Sequence, residues 1–201
     1  WQLAGDLLPN STLQQQVATG FVRMNPSTAE GGAIPAEFQA KNNFDRVENL
    51  GTVLLGMSLN CARCHTHKYD PILQTEYYEL MAFFNSTAEG PLDGNSYTYG
   101  PTVKAPASVA EWNTWQQLHD QRDALLVKAE AKLTDDEKRR WLSASPTERL
   151  KMLVHQAVDF AELKQEAADI SAAIEKAQAS YSTTTLVAKE LPKPRETKLL
   201  K

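Results

Sequence analysis

Cysteine is nearly absent from this chain: two occur in 201 residues, so no disulfide framework can hold the fold together. Glycine (9) and proline (10) are too few for a collagenous or low-complexity chain. Neither sign of charge dominates, with 21 Lys and Arg against 25 Asp and Glu for a net of −4. That mild acidity lacks the basic patch of a nucleic-acid binder, and no nucleic-acid partner is expected. No apolar run approaches the ~20 residues of a membrane-spanning helix, so no transmembrane segment is expected. Repeats are missing too, and no segment alternates apolar and polar residues cleanly enough to announce a strand.

What is present is helical patterning, and it divides the chain. The fold expected is mainly α: an irregular helical part over 1–104, then an antiparallel helical hairpin and a basic tail over 105–201. Turn formers from Gly90-Pro91 to Gly100-Pro101 mark the seam. In the first part Pro35-Ala36-Glu37-Phe38 opens one helix. Another carries Phe44, Val47, Leu50, Val53, Leu54 and Met57 on one face and runs towards Cys61. Glu30-Gly31-Gly32 suggests a turn with positive φ, and Asp45-Arg46 suggests structural hydrogen bonding. Thr75 is placed as N-cap of a helix through Phe84. In the second part Trp112, Trp115, Leu118, Leu125, Leu126, Ala129 and Leu133 stripe a long helix. Thr134-Asp135-Asp136-Glu137 and Ser145-Pro146-Thr147-Glu148 read as capping boxes. Phe160, Leu163, Ala167, Ile170, Ile174, Ala177 and Tyr181 then alternate by three and four, an apolar seam. Pro192 and Pro194 end the helical tendency, and Lys193 to Lys201 reads as a basic tail leading elsewhere.

Chemistry concentrates in Cys61-Ala62-Arg63-Cys64-His65, the C-x-x-C-H pattern of covalent haem attachment. Two thiols at this spacing can add across the porphyrin vinyl groups while the adjacent imidazole reaches the iron. Chance places two cysteines and a histidine this way in about 2 of 10⁴ such chains. Other uses of the residues stay open. A Cys61–Cys64 disulfide would close a small, strained loop. A dithiol redox motif would want a βαβ setting. A zinc site could use Cys61, Cys64, His65 and His67, or draw a further ligand from His119 or His155.

With haem bound, His65 is the proximal iron ligand and the distal ligand is open. Met24, Met57, Met81, Met152, His119 and His155 are the candidates, Met24 being the least explained by packing. His67, too near His65 to swing to the opposite face, is a candidate for contacting a propionate or assisting proton transfer. Arg63 and Lys68 flank the site and could offset propionate charge.

A longer run of residues carries a resemblance. Val17-Ala18-Thr19-Gly20-Phe21-Val22-Arg23 is followed by Glu30-Gly31-Gly32, Glu37-Phe38, Asp45-Arg46-Val47 and Leu55-Gly56. Then come Cys61-Ala62-Arg63-Cys64-His65-Thr66-His67-Lys68-Tyr69-Asp70-Pro71-Ile72, Tyr77-Tyr78 and Ala82-Phe83-Phe84-Asn85. This resembles the domain of unknown function found in large exported planctomycete-type proteins, downstream of a planctomycete cytochrome c domain. The resemblance implies a haem-bearing module exported to the periplasm or cell surface, as a fragment of a longer chain. It carries over Cys61, Cys64 and His65 as haem attachment and ligation, with His67, Lys68 and Asp70 as motif positions without assigned roles. Where this chain has Val22 and Thr66, the family commonly has His and Asp.

Together these readings lead to a c-type cytochrome module carrying covalent haem c in electron transfer. Its partner would be a redox protein or a neighbouring domain of the same parent. The alternatives are a haem-dependent oxidoreductase or peroxidase acting on an extracellular substrate such as polysaccharide, and a zinc-stabilised interaction module.

Overall fold

The structure, a computed structural model, describes residues 1–155 and 161–198. Among these the chain is mainly α-helical, with a single two-stranded sheet. It divides into two units: residues 1–103 with 185–201, and residues 104–184. The chain leaves the first unit through β1 (Thr102–Ala105) and returns through β2 (Thr183–Leu186), and the two strands pair. Neither strand was legible as such, because four residues are too few to show a period.

After a 3₁₀ turn at Gly5–Leu7, the first unit continues with α1 (Leu13–Ala18) and α2 (Gly20–Arg23). Thr12 caps α1, its hydroxyl accepting from the Gln15 backbone N–H while the Gln15 side chain accepts from the Thr12 N–H. The expected turn follows, with Gly32 at φ +82°. α3 (Pro35–Asn49) is one continuous helix where two were expected. Pro35 starts it at the first position, where a missing N–H is harmless.

Beyond Asn49 the apolar face departs from expectation. Residues Leu50–Leu55 form a π-turn that Gly56 closes at φ +65°, its N–H donating to the Gly51 carbonyl. The i→i+5 bonding winds more residues into each turn. Positions spaced for an α-helix therefore miss the inner face: Val53 is 60% and Leu54 45% exposed, while Leu50 is buried. Gly51 matters here, since a Cβ would sit 2.5 Å from the Leu59 Cγ. Its bareness lets Leu59 pack against the turn and deliver the chain to Cys61. α4 (Gln74–Phe84) starts two residues earlier than Thr75 as N-cap would require, because the Glu76 carboxylate accepts from the Leu73 N–H at 2.8 Å.

Val22, Val47, Leu50, Leu59, Ala62, Tyr77, Tyr78, Met81 and Phe84 make this unit's core. Each large apolar side chain so buried contributes about 1.5–3 kcal/mol. Running through it is a charged network that spacing alone did not announce. Arg46 is buried; its Nε donates to the Val22 carbonyl at 2.8 Å and its terminal nitrogens to Thr87 Oγ1 and Asn25 Oδ1, both at 2.8 Å. The same guanidinium pairs with Glu89 Oε1 at 2.5 Å. Arg23, also buried, donates to the Gly100 carbonyl at 3.0 Å and lies 3.5 Å from Asp93 Oδ2. Its approach to Glu89 Oε2, at 3.7 Å, is an ion contact rather than a hydrogen bond, and that oxygen and Arg23 Nε have no hydrogen-bond partner.

The segment after β2 does not lead away. Ala188 N–H donates to Thr19 Oγ1, Leu191 N–H to the Ser86 carbonyl, and Arg195 holds the Asn85 and Thr87 carbonyls at 2.8 Å each. Of the tail expected over Lys193–Lys201, the described part is thus built into the first unit. Residues 199–201 lie outside the described residues.

The second unit is the expected hairpin. α6 (Val109–Glu130) and α9 (Ala161–Ser180) are long helices, and α7 (Asp135–Ser143) and α8 (Pro146–His155) form the corner; α5 (Asp93–Ser96) belongs to the first unit. Lys128 pairs with Glu166 and Lys132 with Glu162, so numbering rises on one helix as it falls on the other. The helices are antiparallel. The Thr134 and Ser145 caps form with Glu137 and Glu148. Leu163, Ala167 and Ile170 of the seam are buried against Leu125, Leu126 and Ala129, while Phe160 lies outside the described residues.

Burial would by itself raise the Glu89 carboxyl. Arg46, the Thr87 hydroxyl, its own backbone and Arg23 outweigh that and hold it below the ordinary value of 4.5. The folded chain therefore binds that proton less readily than the unfolded one. The stability Glu89 supplies is complete above pH 4.5 and drains away as the pH falls below it. Glu89→Gln should cost about 3–5 kcal/mol at pH 7 by leaving Arg46 a buried, unpaired charge. Urea titrations of both proteins from pH 7 downward check this: the gap should narrow on acidification, and a pH-independent gap contradicts the account.

Candidate functional site

The C-x-x-C-H segment is a 3₁₀ turn, Asn60–Arg63, with Cys64 as its C-cap donating its N–H to the Cys61 carbonyl. Residues three apart eclipse one another in such a turn. Cys61 and Cys64 are free and exposed, so their thiols share the outer side. The short residue between them, Ala62, is fully buried and plugs the turn into the core. Two side chains of α4 secure it from behind: Tyr78 Oη donates to the Arg63 carbonyl at 2.9 Å and Gln74 Nε2 to the same oxygen at 3.2 Å.

Arg63 itself points to α3. It lies 3.5 Å from Glu48 Oε1, and its guanidinium stands 5.0 Å from the Phe44 ring centroid. Tyr77 Oη donates to the same Glu48 oxygen at 3.3 Å. Burial pushes the Tyr77 phenol up and the Glu48 charge adds to it, so this phenol keeps its proton. Lys68 is exposed, with its ammonium 5.1 Å from the Tyr69 ring centroid.

The two histidines differ. His65 is exposed, and its Nδ1 lies 2.7 Å from the Thr66 carbonyl oxygen. A carbonyl can only accept, which assigns the proton to Nδ1 and leaves the Nε2 lone pair free. A hydrogen bond of this kind orients metal-binding imidazoles. His67 is buried and turned into its own loop. Its Nδ1 accepts from the Asp70 N–H at 2.9 Å and the Tyr69 N–H at 3.3 Å, and the His67 backbone N–H donates to the Ile72 carbonyl. The nearby Asp70 carboxylate, at 3.4 Å, competes for the same nitrogen only if the ring is protonated there. The backbone donors are the better geometry and make His67 a loop tie.

The other expected ligands are scattered. Met24 is 80% exposed at the end of α2, Met81 is buried in the first core and Met57 packs against it. His119, Met152 and His155 belong to the second unit. There His119 stacks on Trp115 at 4.0 Å and its Nδ1 lies 2.8 Å from the Trp115 carbonyl oxygen. Burial holds the His119 imidazole below its ordinary value. Among the described residues no three His, Cys, Asp or Glu side chains are gathered as a metal-holding group.

The donor set nonetheless fits a c-type haem: two free thiols at the required spacing, and one imidazole with its tautomer set for coordination through Nε2. All three lie at the surface. Glu48, Gln74 and the Tyr78 hydroxyl escaped sequence reasoning, because their link to Arg63 spans 11 to 15 positions and follows no motif.

Residues 1–89 match the family PSCyt2, described as a protein of unknown function (DUF1549). The matched stretch includes Arg23, Arg46, Glu89 and the whole C-x-x-C-H segment, and stops short of the hairpin. No curated protein and no solved structure matches the chain.

His67→Ala should strand the Asp70 and Tyr69 N–H groups and cost about 1–3 kcal/mol. His67→Asn places an amide oxygen near the Nδ1 position and should recover part of the loss. Thermal melts of the three proteins should rank wild type above Asn above Ala. Equal values for Asn and Ala would refute the loop-tie role.

Proposed function

We propose that the first unit is a c-type haem-binding module for electron transfer, with Cys61 and Cys64 as the thioether anchors and His65 as the axial ligand through Nε2. One observation carries the reading: two free thiols on the outer side of one 3₁₀ turn, beside an imidazole whose Nδ1 is tied to the Thr66 carbonyl. When bound, haem c supplies a ferric/ferrous couple whose potential depends on ligation, hydrogen bonding and solvent exposure.

The chain's own residues hold the attachment set still. Ala62 anchors the turn in the core, Tyr78 and Gln74 grip the Arg63 carbonyl, and His67 braces the loop that follows. Arg63 and Lys68 flank the anchors and could face propionate carboxylates, Arg63 sharing its charge with Glu48. Of the first unit's three methionines, Met24 alone stands clear of the core, which leaves its thioether uncommitted for the distal position.

A surface attachment set suits exchange of electrons with a redox partner or a neighbouring domain of the same parent protein. Thioether attachment takes place outside the bacterial cytoplasm, so the reading also implies export to the periplasm or cell surface. The rival oxidoreductase reading, with a substrate such as polysaccharide, asked His67 to handle protons. With Nδ1 engaged by two backbone donors, that side chain lends it no support. A zinc-stabilised module would need a third and fourth donor beside the cysteines, and none is gathered among the described residues.

Expression alongside a haem c maturation system tests the proposal. The purified chain should show a c-type absorption spectrum and carry one haem through acid–acetone extraction. Cys61→Ala should weaken that retention, and His65→Ala should alter the Soret band while attachment persists. A six-coordinate, low-spin spectrum indifferent to cyanide fits electron transfer; a high-spin one that responds to cyanide transfers the case to the oxidoreductase. Colourless protein with the mass of the polypeptide alone overturns haem altogether.

A further inference from the structure

Away from the cysteines, the first unit contains a partly open cavity of about 210 Å³ to which no role has been given. Leu3, Leu7, Val22, Leu50, Leu80 and Phe84 supply its apolar wall. Two carboxylates, Asp6 and Glu190, line it as well. Among the described residues neither carboxylate has a hydrogen bond or ion pair, and the Asp6 charge repels that of Glu190. Burial pushes the Glu190 carboxyl up and the Asp6 charge pushes it further. Phe83, 76% exposed, lines the same cavity. Lys189 is the single cation in the lining and is itself solvent-exposed. The formal charge of the lining is therefore one negative in excess.

We propose that this cavity binds a small amphipathic amine: an aromatic or branched aliphatic group enters the apolar wall, and an ammonium group settles between Asp6 and Glu190. The volume suits the apolar part, since a dry cavity of about 150 Å³ already takes benzene. Charge complementarity selects the head group. A cation relieves the repulsion that the Asp6 charge exerts on Glu190. An anionic head would meet Asp6 and Glu190 at close quarters with only a solvated lysine in return. A neutral one would leave the carboxylate pair as it stands. The site uses none of the haem-attachment residues, so it stands or falls independently of the cofactor.

Calorimetric titration of the full chain with 2-phenylethylammonium, 2-phenylethanol and 3-phenylpropionate tests this directly. The ammonium ion should bind saturably at one site. The alcohol should bind at least tenfold more weakly, and the carboxylate more weakly still. Methyl resonances of Leu7, Leu50 and Leu80 should shift with the ammonium ion. Asp6→Asn with Glu190→Gln should lower ammonium affinity to that of the alcohol. Absence of saturable binding, equal affinity for ammonium and alcohol, or shifts confined to other methyls overturns the proposal. So does a folded double variant with undiminished ammonium binding. Should that variant fail to fold, the comparison of the three probes on the wild-type chain decides.

Discussion

The guanidinium of Arg46 is the point on which the first unit turns. It leaves α3 and reaches, in one buried plane, the Val22 carbonyl of α2, Asn25 in the loop beyond, Thr87 after α4, and the Glu89 carboxylate. Desolvating such a charge is costly, and only a nearly complete set of partners makes it tolerable. Arg46 obtains that set from two segments, 22–25 and 87–89, at 21 to 43 positions from itself, so satisfying one side chain fixes both of them against α3. Arg23 repeats the device on the other oxygen of Glu89 and extends it to Asp93 and Gly100.

That framework positions the C-x-x-C-H turn without touching it. α3 is held by Arg46 at its inner face and ends in the π-turn, where Gly51 accepts Leu59 at close range. Held through its C-terminal flank, α4 presents Gln74 and Tyr78 to the Arg63 carbonyl. The two thiols and His65 thus stand on a turn anchored from below and open above. Reactive side chains at the surface of a rigid base are the usual arrangement for loops that carry chemistry.

Legibility varied with the range of the interaction. The caps at Thr134 and Ser145 and the antiparallel hairpin were readable because each depends on neighbours within a few turns. The turn at Gly32 was readable for the same reason. Val53 and Leu54 were misplaced because the periodic argument assumes an unbroken α-helix, and the π-turn changes the winding at Leu50. His67 read as a residue available for chemistry, and only the folded loop reveals its Nδ1 taken by two backbone donors. The tail after Pro192 read as departing because its contacts with Asn85 and Thr87 span more than a hundred positions.

Local order by itself determined the helical class, the hairpin and the spacing of Cys61, Cys64 and His65, since helix periods, caps and a five-residue motif are properties of adjacent residues. Tertiary structure alone decided the partners of Arg46 and Glu89, the inward turn of His67, the bracing of Arg63 and the cavity beside Asp6 and Glu190. The reason is physical: burying a charge or lining a cavity takes surfaces from distant parts of the chain, and no local pattern records which of them will meet.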